Sequence, residues 1–242
     1  TFDGLARSLA AVTFAALVAR FGAVATAAYG IGIRLMSVSW TVSGAVGQAA
    51  ATGVGQNLGA NEPDRAAEVT WKGTAGAMAV LFAAGGVAYF FPATLMRVFI
   101  ADPAVVDAGV VFLRVIAPFW AFMGGLMVVQ GGFRGAGQTS VAFLLSLLSR
   151  WVFRVPAAVL LAYDLALNPV DVTGLWWSLP ISSVLAFVVG VAWFHRGGWQ
   201  QSIVESERRD GPPTGDESGD DSGEPADRSD ESGDPVEDPA TD

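Results

Sequence analysis

The sequence predicts an all-α polytopic membrane protein: a lobe of six transmembrane helices followed by a disordered acidic tail. Six apolar stretches each approach the ~20 residues that a helix needs to cross a hydrocarbon core. Two glycine-rich turns, GVGQNLGA from Gly53 to Ala60 and FRGAGQT from Phe133 to Thr139, close apolar runs and open short polar connections. The acidity is local. Residues 1–204 carry 11 basic and 8 acidic groups, net +3, and residues 205–242 carry 3 basic and 15 acidic, net -12, so the overall -9 describes the tail rather than the membrane part.

The apolar runs read as helices over Leu5 to Ala25, Ala28 to Gly55, Gly73 to Met96, Val105 to Gln130, Val141 to Tyr163 and Gly174 to Phe194. Hydrocarbon offers a backbone amide no water partner, so runs of this length must satisfy their own hydrogen bonds as helices. Their abundant Gly, Ala and Ser suit close helix packing, and two pairs have the small-xxx-small spacing, Gly55 with Gly59 and Gly131 with Gly135. Gln56 sits in the first of these turns, and Arg134 and Gly137 in the second. Pro118, Pro156 and Pro180 fall inside runs, where each removes a backbone hydrogen bond and leaves either a static kink or a hinge.

Residues 1–200 form the membrane lobe in this reading, and residues 201–242 the tail. From Glu205 onward the chain is dominated by Asp, Glu, Gly, Ser, Pro and Thr without an aromatic residue, and so lacks the apolar surface to offset its conformational entropy. The chain has no cysteine, which excludes disulfides, thiolate nucleophiles and Cys-type zinc sites. It begins at Thr1 with no basic segment ahead of a short apolar run, so no signal peptide is expected and the chain reads as a fragment.

Basic residues orient the lobe. Arg7, Arg65, Lys72, Arg134, Arg196, Arg208 and Arg209 collect on one side, while Arg20, Arg97, Asp102, Asp107 and Asp171 fall toward the other. The first side is therefore expected to be cytoplasmic, with the tail inside and the lobe in the cell membrane. The aromatic residues agree, with Trp71, Trp193 and Trp199 at the inner interface and Tyr89, Phe90, Trp176 and Trp177 at the outer one.

Charges inside the membrane carry the functional signal, because burying a charge in hydrocarbon is costly and marks a polar pathway. Arg150 and Arg154 are spaced i, i+4 and share one face of the fifth helix, starting about 16 Å from its cytoplasmic end at ~1.5 Å per residue. A water-filled cavity or an ion pair is expected there, with Gln48 and Trp40 as further substrate-cavity candidates. No carboxylate lies at matching depth, and Asp164 is at the outer end of the same helix. Arg34 and Arg114 are shallower and read as snorkelling side chains.

Other chemistry is set aside. The glycines of residues 135–137 lack the GxxxxGK[ST] completion of a phosphate-binding loop. The single histidine, His195, sits at a helix end and reads as an interfacial anchor. Neither GxSxG nor HExxH occurs, so no enzyme, metal site, bound cofactor or nucleic-acid partner is expected.

In order along the chain, GVGQNLGAN with Pro63-Asp64-Arg65-Ala66, then FRGAGQT, then WVFRVP from Trp151 to Pro156 ahead of Gly174-Leu175-Trp176-Trp177, resembles the carboxy-terminal six-helix lobe of the multidrug and toxic compound extrusion (MATE) family. The resemblance spans nearly all of residues 1–200. It implies an antiporter that exports organic, often cationic and amphipathic, compounds against entry of Na+ or H+, built from two lobes around a central cavity. Its partners would be a small organic substrate, the coupling cation, the bilayer and an absent amino-terminal six-helix lobe. Several family members hold carboxylates in the first and fourth helices of this lobe, whereas Leu5 to Ala25 and Phe112 to Gln130 contain none. The resemblance therefore puts the cation site in the missing half. A lipid or oligosaccharide flippase of the wider superfamily, a non-transporting membrane subunit and the membrane half of an ATP-driven pump are the alternatives.

Overall fold

The structure, a computed structural model, describes residues 2–163 and 170–199. Asp164 and the acidic tail lie outside the described residues. Among the described residues six helical runs follow one another. They are α1 (Phe2–Ala19); α2 (Ala23–Gly59); α3 (Pro63–Phe90) with the short α4 (Pro92–Arg97); α5 (Pro103–Ile116) joined through a 3-10 turn to α6 (Trp120–Gly135); α7 (Thr139–Leu147) joined through a π-helical segment to α8 (Val155–Ala162); and α9 (Val172–His195). Among the described residues, four stretches are long and apolar enough to cross a membrane: 63–90, 103–135, 139–162 and 172–195. The 37-residue α2 has the length, but Gly, Ala, Ser and Thr dilute its apolarity.

The boundaries differ from expectation where local chemistry intervenes. The first helix stops at Ala19 rather than Ala25 because Gly22 takes φ 94°, a left-handed value that ends one helix and lets α2 start at once. The third begins at Pro63, ten residues before Gly73, because proline at the first helical position has no amide proton to leave unpaired. Asp102 and Asp171 cap α5 and α9 by accepting from the amides of Ala104 and Thr173 at 2.9 and 2.8 Å.

Each of the three prolines has its own outcome. Pro118 lies in the 3-10 turn Ala117–Phe119 between α5 and α6. Pro156 follows the π-helical segment Leu148–Arg154, in which the Val155 amide donates to the Arg150 carbonyl five residues back. Pro180 is tolerated inside an unbroken α9, where the hydroxyls of Ser182 and Ser183 both donate to the Leu179 carbonyl, at 2.9 and 2.8 Å.

Two apolar clusters occupy opposite ends of the bundle. At one end Val54, Ala66, Phe133, Phe194 and Trp199 pack together, and Gln138 donates to the Gly198 carbonyl at 3.4 Å. The turns after α2 and α6 therefore share an end with the C-terminus of α9. At the other end Phe14, Phe112, Tyr163 and Trp176 form the larger cluster, and the Tyr163 hydroxyl donates to the Leu17 carbonyl at 2.7 Å. Trp176 corrects the sequence reading of an outer belt. It is buried, stacked on Tyr29 with centroids 6.0 Å apart and edge-on to Phe112 at 4.8 Å. Trp199 is also buried, stacked on Phe194 at 4.5 Å, whereas Trp177, Tyr89 and Phe90 are exposed as expected.

Between the clusters α2 and α6 approach closely. A β-carbon on Gly131 would stand 2.1 Å from the Gly47 carbonyl oxygen, and one on Gly135 2.2 Å from that of Ala51. The Gly131 and Gly135 spacing is thus a real packing stripe. Its partner on α2 is Gly47, Ala51 and Gly55, whereas Gly59, four residues after Gly55, meets nothing within 4 Å.

Candidate functional site

A cavity of about 450 Å³ opens inside the bundle, lined from α1, α2, α6, the π-helical segment and α9. Arg150 and Arg154 both line it, from a segment that is π-helical rather than α-helical. Arg154 Nε donates to Ser182 Oγ at 3.3 Å, and an Arg150 amino group donates to Ser146 Oγ. Those hydroxyls hold each guanidinium by a neutral partner. Trp40 also lines the cavity, with its indole N–H on Met123 Sδ at 3.5 Å.

Gln48 is exposed on α2 and is not part of this lining. Arg34 and Arg114 are exposed, in keeping with snorkelling side chains, and His195 is exposed at the end of α9. The turn residues Gly55, Gln56, Gly59, Arg134, Gly135 and Gly137 lie at the end of the bundle away from Trp176. Arg134 Nε donates to the Gln130 carbonyl at 3.3 Å, and Gly137 takes φ 76° to turn the chain from α6 into α7. These residues shape the connection and do not contribute to the cavity.

Most of the lining escaped the sequence reading, Arg7, Tyr29 and Gln130 among it. Arg7 was counted with the loops, yet it belongs to α1, and Arg7, Ala10, Ala11 and Phe14 follow the i, i+3, i+4, i+7 pattern of one helix face toward the cavity. That periodicity was available in the sequence. Tyr29 closes one end of the cavity, fixed between Phe14 at 5.5 Å and Trp176 at 6.0 Å. Gln130 is a buried amide on α6 one position before Gly131, so the close approach of α2 carries its side chain to the cavity wall.

Charge distribution decides what the site can do. Its lining includes three guanidinium groups and, among the described residues, no Asp or Glu. Groups of His, Asp and Glu that could hold a metal ion are also absent among the described residues. The cavity wall is otherwise apolar and aromatic, with hydroxyls from Tyr29, Ser149 and Ser183. Such a lining sets fixed positive charge beside apolar surface.

These features define a multi-pass membrane protein with a largely apolar, arginine-bearing cavity inside a helical lobe. The sequence pattern of the MatE family matches residues 2–160, and the chain belongs to that family. It is 24% identical over 202 residues to a probable multidrug resistance protein NorM of Thermotoga maritima, covering 84% of this chain and 43% of that protein. It is 33% identical over 172 residues to a probable NorM of Mesorhizobium japonicum, covering 68% of this chain and 35% of the relative. The chain thus spans less than half the length of these relatives. Among solved structures it resembles the MATE transporter ClbM in complex with Rb+, with TM-score 0.76, 21% identity and coverage of 84% of this chain and 47% of that one. The Vibrio cholerae MATE transporter VcmN in its bent form gives TM-score 0.69 at 19% identity, covering 86% and 45%.

Proposed function

We propose that this chain is the carboxy-terminal lobe of a secondary transporter that exports organic amphipathic compounds in exchange for Na+ or H+ entering across the plasma membrane. MatE family members are transporters, and family membership rather than any empty site sets enzymatic chemistry aside. The observation that carries the export reading is the cavity itself. An open-sided wall of apolar and aromatic groups with three arginines, in a lobe that covers about half of its relatives, suits half of a substrate chamber completed by a second lobe. The cation site belongs to that second lobe, because Na+ needs oxygen ligands and H+ a titratable acid, and the described cavity lining supplies no carboxylate. The turns after α2 and α6 and the tail are cytoplasmic, given the excess of basic residues at that end.

The test is efflux by the complete gene product in cells stripped of their own pumps. Dye accumulation should fall when the protein reaches the membrane, and the fall should vanish when the Na+ and proton gradients are both collapsed. Unchanged accumulation for a panel of anionic, cationic and neutral dyes, at normal membrane levels, refutes the export reading.

A further inference from the structure

Among the described residues, every one that lines the cavity and carries a full charge is an arginine, namely Arg7, Arg150 and Arg154. Building on the export reading above, we propose that this lobe selects amphiphiles with an anionic head, a carboxylate, sulfonate or phosphate on an apolar body, in preference to organic cations. Arg154 carries the argument. Its Nε–H is engaged by the neutral Ser182 hydroxyl at 3.3 Å, which orients the planar group without cancelling its charge. The two terminal amino groups of a guanidinium so held form the fork that pairs with two oxygens of a carboxylate or phosphate. Tyr29, in the same wall, adds a hydroxyl donor for an oxyanion. Phe14, Met36 and Trp40 supply the apolar surface for the body of the ligand.

A cation in the same volume meets like charge in a setting less polar than water, where Coulomb repulsion is several times its bulk value. The preference therefore comes from both sides, attraction of the anion and exclusion of the cation. One ligand chemistry here has two sources, a dissolved organic anion or the headgroup of an anionic lipid.

The experiment uses the complete protein in liposomes with an imposed Na+ or pH gradient. Three fluorescent probes are compared: carboxyfluorescein as a dissolved anion, ethidium as a cation, and phosphatidylglycerol labelled on its acyl chain as a lipid anion. Transport of an anionic probe should exceed that of ethidium by about tenfold, and Arg154→Gln should cut anion transport about tenfold, the effect of losing one charge-assisted hydrogen bond. Arg154→Lys should restore part of it, and ethidium transport should stay level or rise in Arg154→Gln. Movement of carboxyfluorescein identifies a dissolved anion, and movement of the lipid alone identifies a headgroup. Faster movement of ethidium than of both anions, indifferent to Arg154→Gln, overturns the anion preference and leaves export standing. No movement of any probe by protein with a normal melting profile overturns export and the preference together. Should Arg154→Gln fail to fold, quenching of wild-type tryptophan fluorescence decides the matter, with carboxyfluorescein binding more tightly than ethidium and weakening with added salt; the reverse order overturns the proposal.

Discussion

Gly131 on α6 lies so close to Gly47 on α2 that a β-carbon added to it would fall 2.1 Å from the Gly47 carbonyl oxygen. The obstacle is backbone, which cannot swing aside as a side chain can, so Gly131→Ala should force the two helices apart. We expect a loss of about 1–3 kcal/mol or more, the range for overpacking a well-filled interior. Gly59 is the control. Nothing lies within 4 Å of its added β-carbon, so Gly59→Ala should stay within about 0.5 kcal/mol of the parent. Thermal melting of the purified protein in detergent checks both, and equal melting points for the two variants would remove the stripe from the account of α2 and α6.

How far the sequence revealed this site depends on which physical signal each residue leaves. Apolar run length located all six helical runs, because hydrocarbon permits few other backbone solutions. Arg150 and Arg154 were legible for the same reason, being charges where charge is costly. Helix ends were less so, since the stop at Ala19 depends on the φ of Gly22, which many sequences could have filled differently. The spacing marked the Gly131 and Gly135 stripe but left its partner open, because spacing along one helix does not say which face of another helix it meets. Trp176 was misread for a related reason: an aromatic residue near a helix start looks the same in sequence whether it faces headgroups or Tyr29.

Pro156 invites a test of cause. Proline has no amide proton and its ring crowds the carbonyl four residues back, here that of Val152, and the π-helical segment Leu148–Arg154 directly precedes it. Pro156→Ala removes both constraints, so the segment should relax toward α-helix and turn Arg154 away from Ser182. Export should fall by severalfold while the melting temperature holds or rises. A joint loss of export and of melting temperature would instead make Pro156 a packing residue with no part in shaping the cavity.

Topology can be read chemically because the native chain has no cysteine. Asp64 and Ser140 are exposed just after the turns that share an end with the C-terminus of α9, and Ala101 is exposed at the start of the connection into α5. With single cysteines introduced in intact cells, an impermeant maleimide should label position 101 and spare 64 and 140 until the membrane is permeabilised. Labelling of 64 or 140 from outside would reverse the orientation drawn from the basic residues.

Trp176 and Trp177 are neighbours in sequence with opposite surroundings, which makes them a sensitive probe of the larger cluster. Trp176 is 1% exposed and in ring contact with Tyr29 and Phe112, whereas Trp177 is 42% exposed, with its ring 6.1 Å from Phe119. Trp176→Ala removes a large ring from a site enclosed by the backbones of several helices, which should cost about 3–5 kcal/mol. It also withdraws the surface that fixes Tyr29 at the cavity wall, so a folded remnant should bind substrate more weakly. Trp177→Ala gives up mainly exposed surface and should cost under about 1 kcal/mol by comparison. Melting temperatures and tryptophan emission distinguish the pair, because loss of Trp176 removes a buried, blue-shifted emitter and loss of Trp177 an exposed one. Similar stability for the two variants would mean that Trp176 lies at the membrane interface, and that Tyr29 is held at the cavity by Phe14 and Phe112 alone.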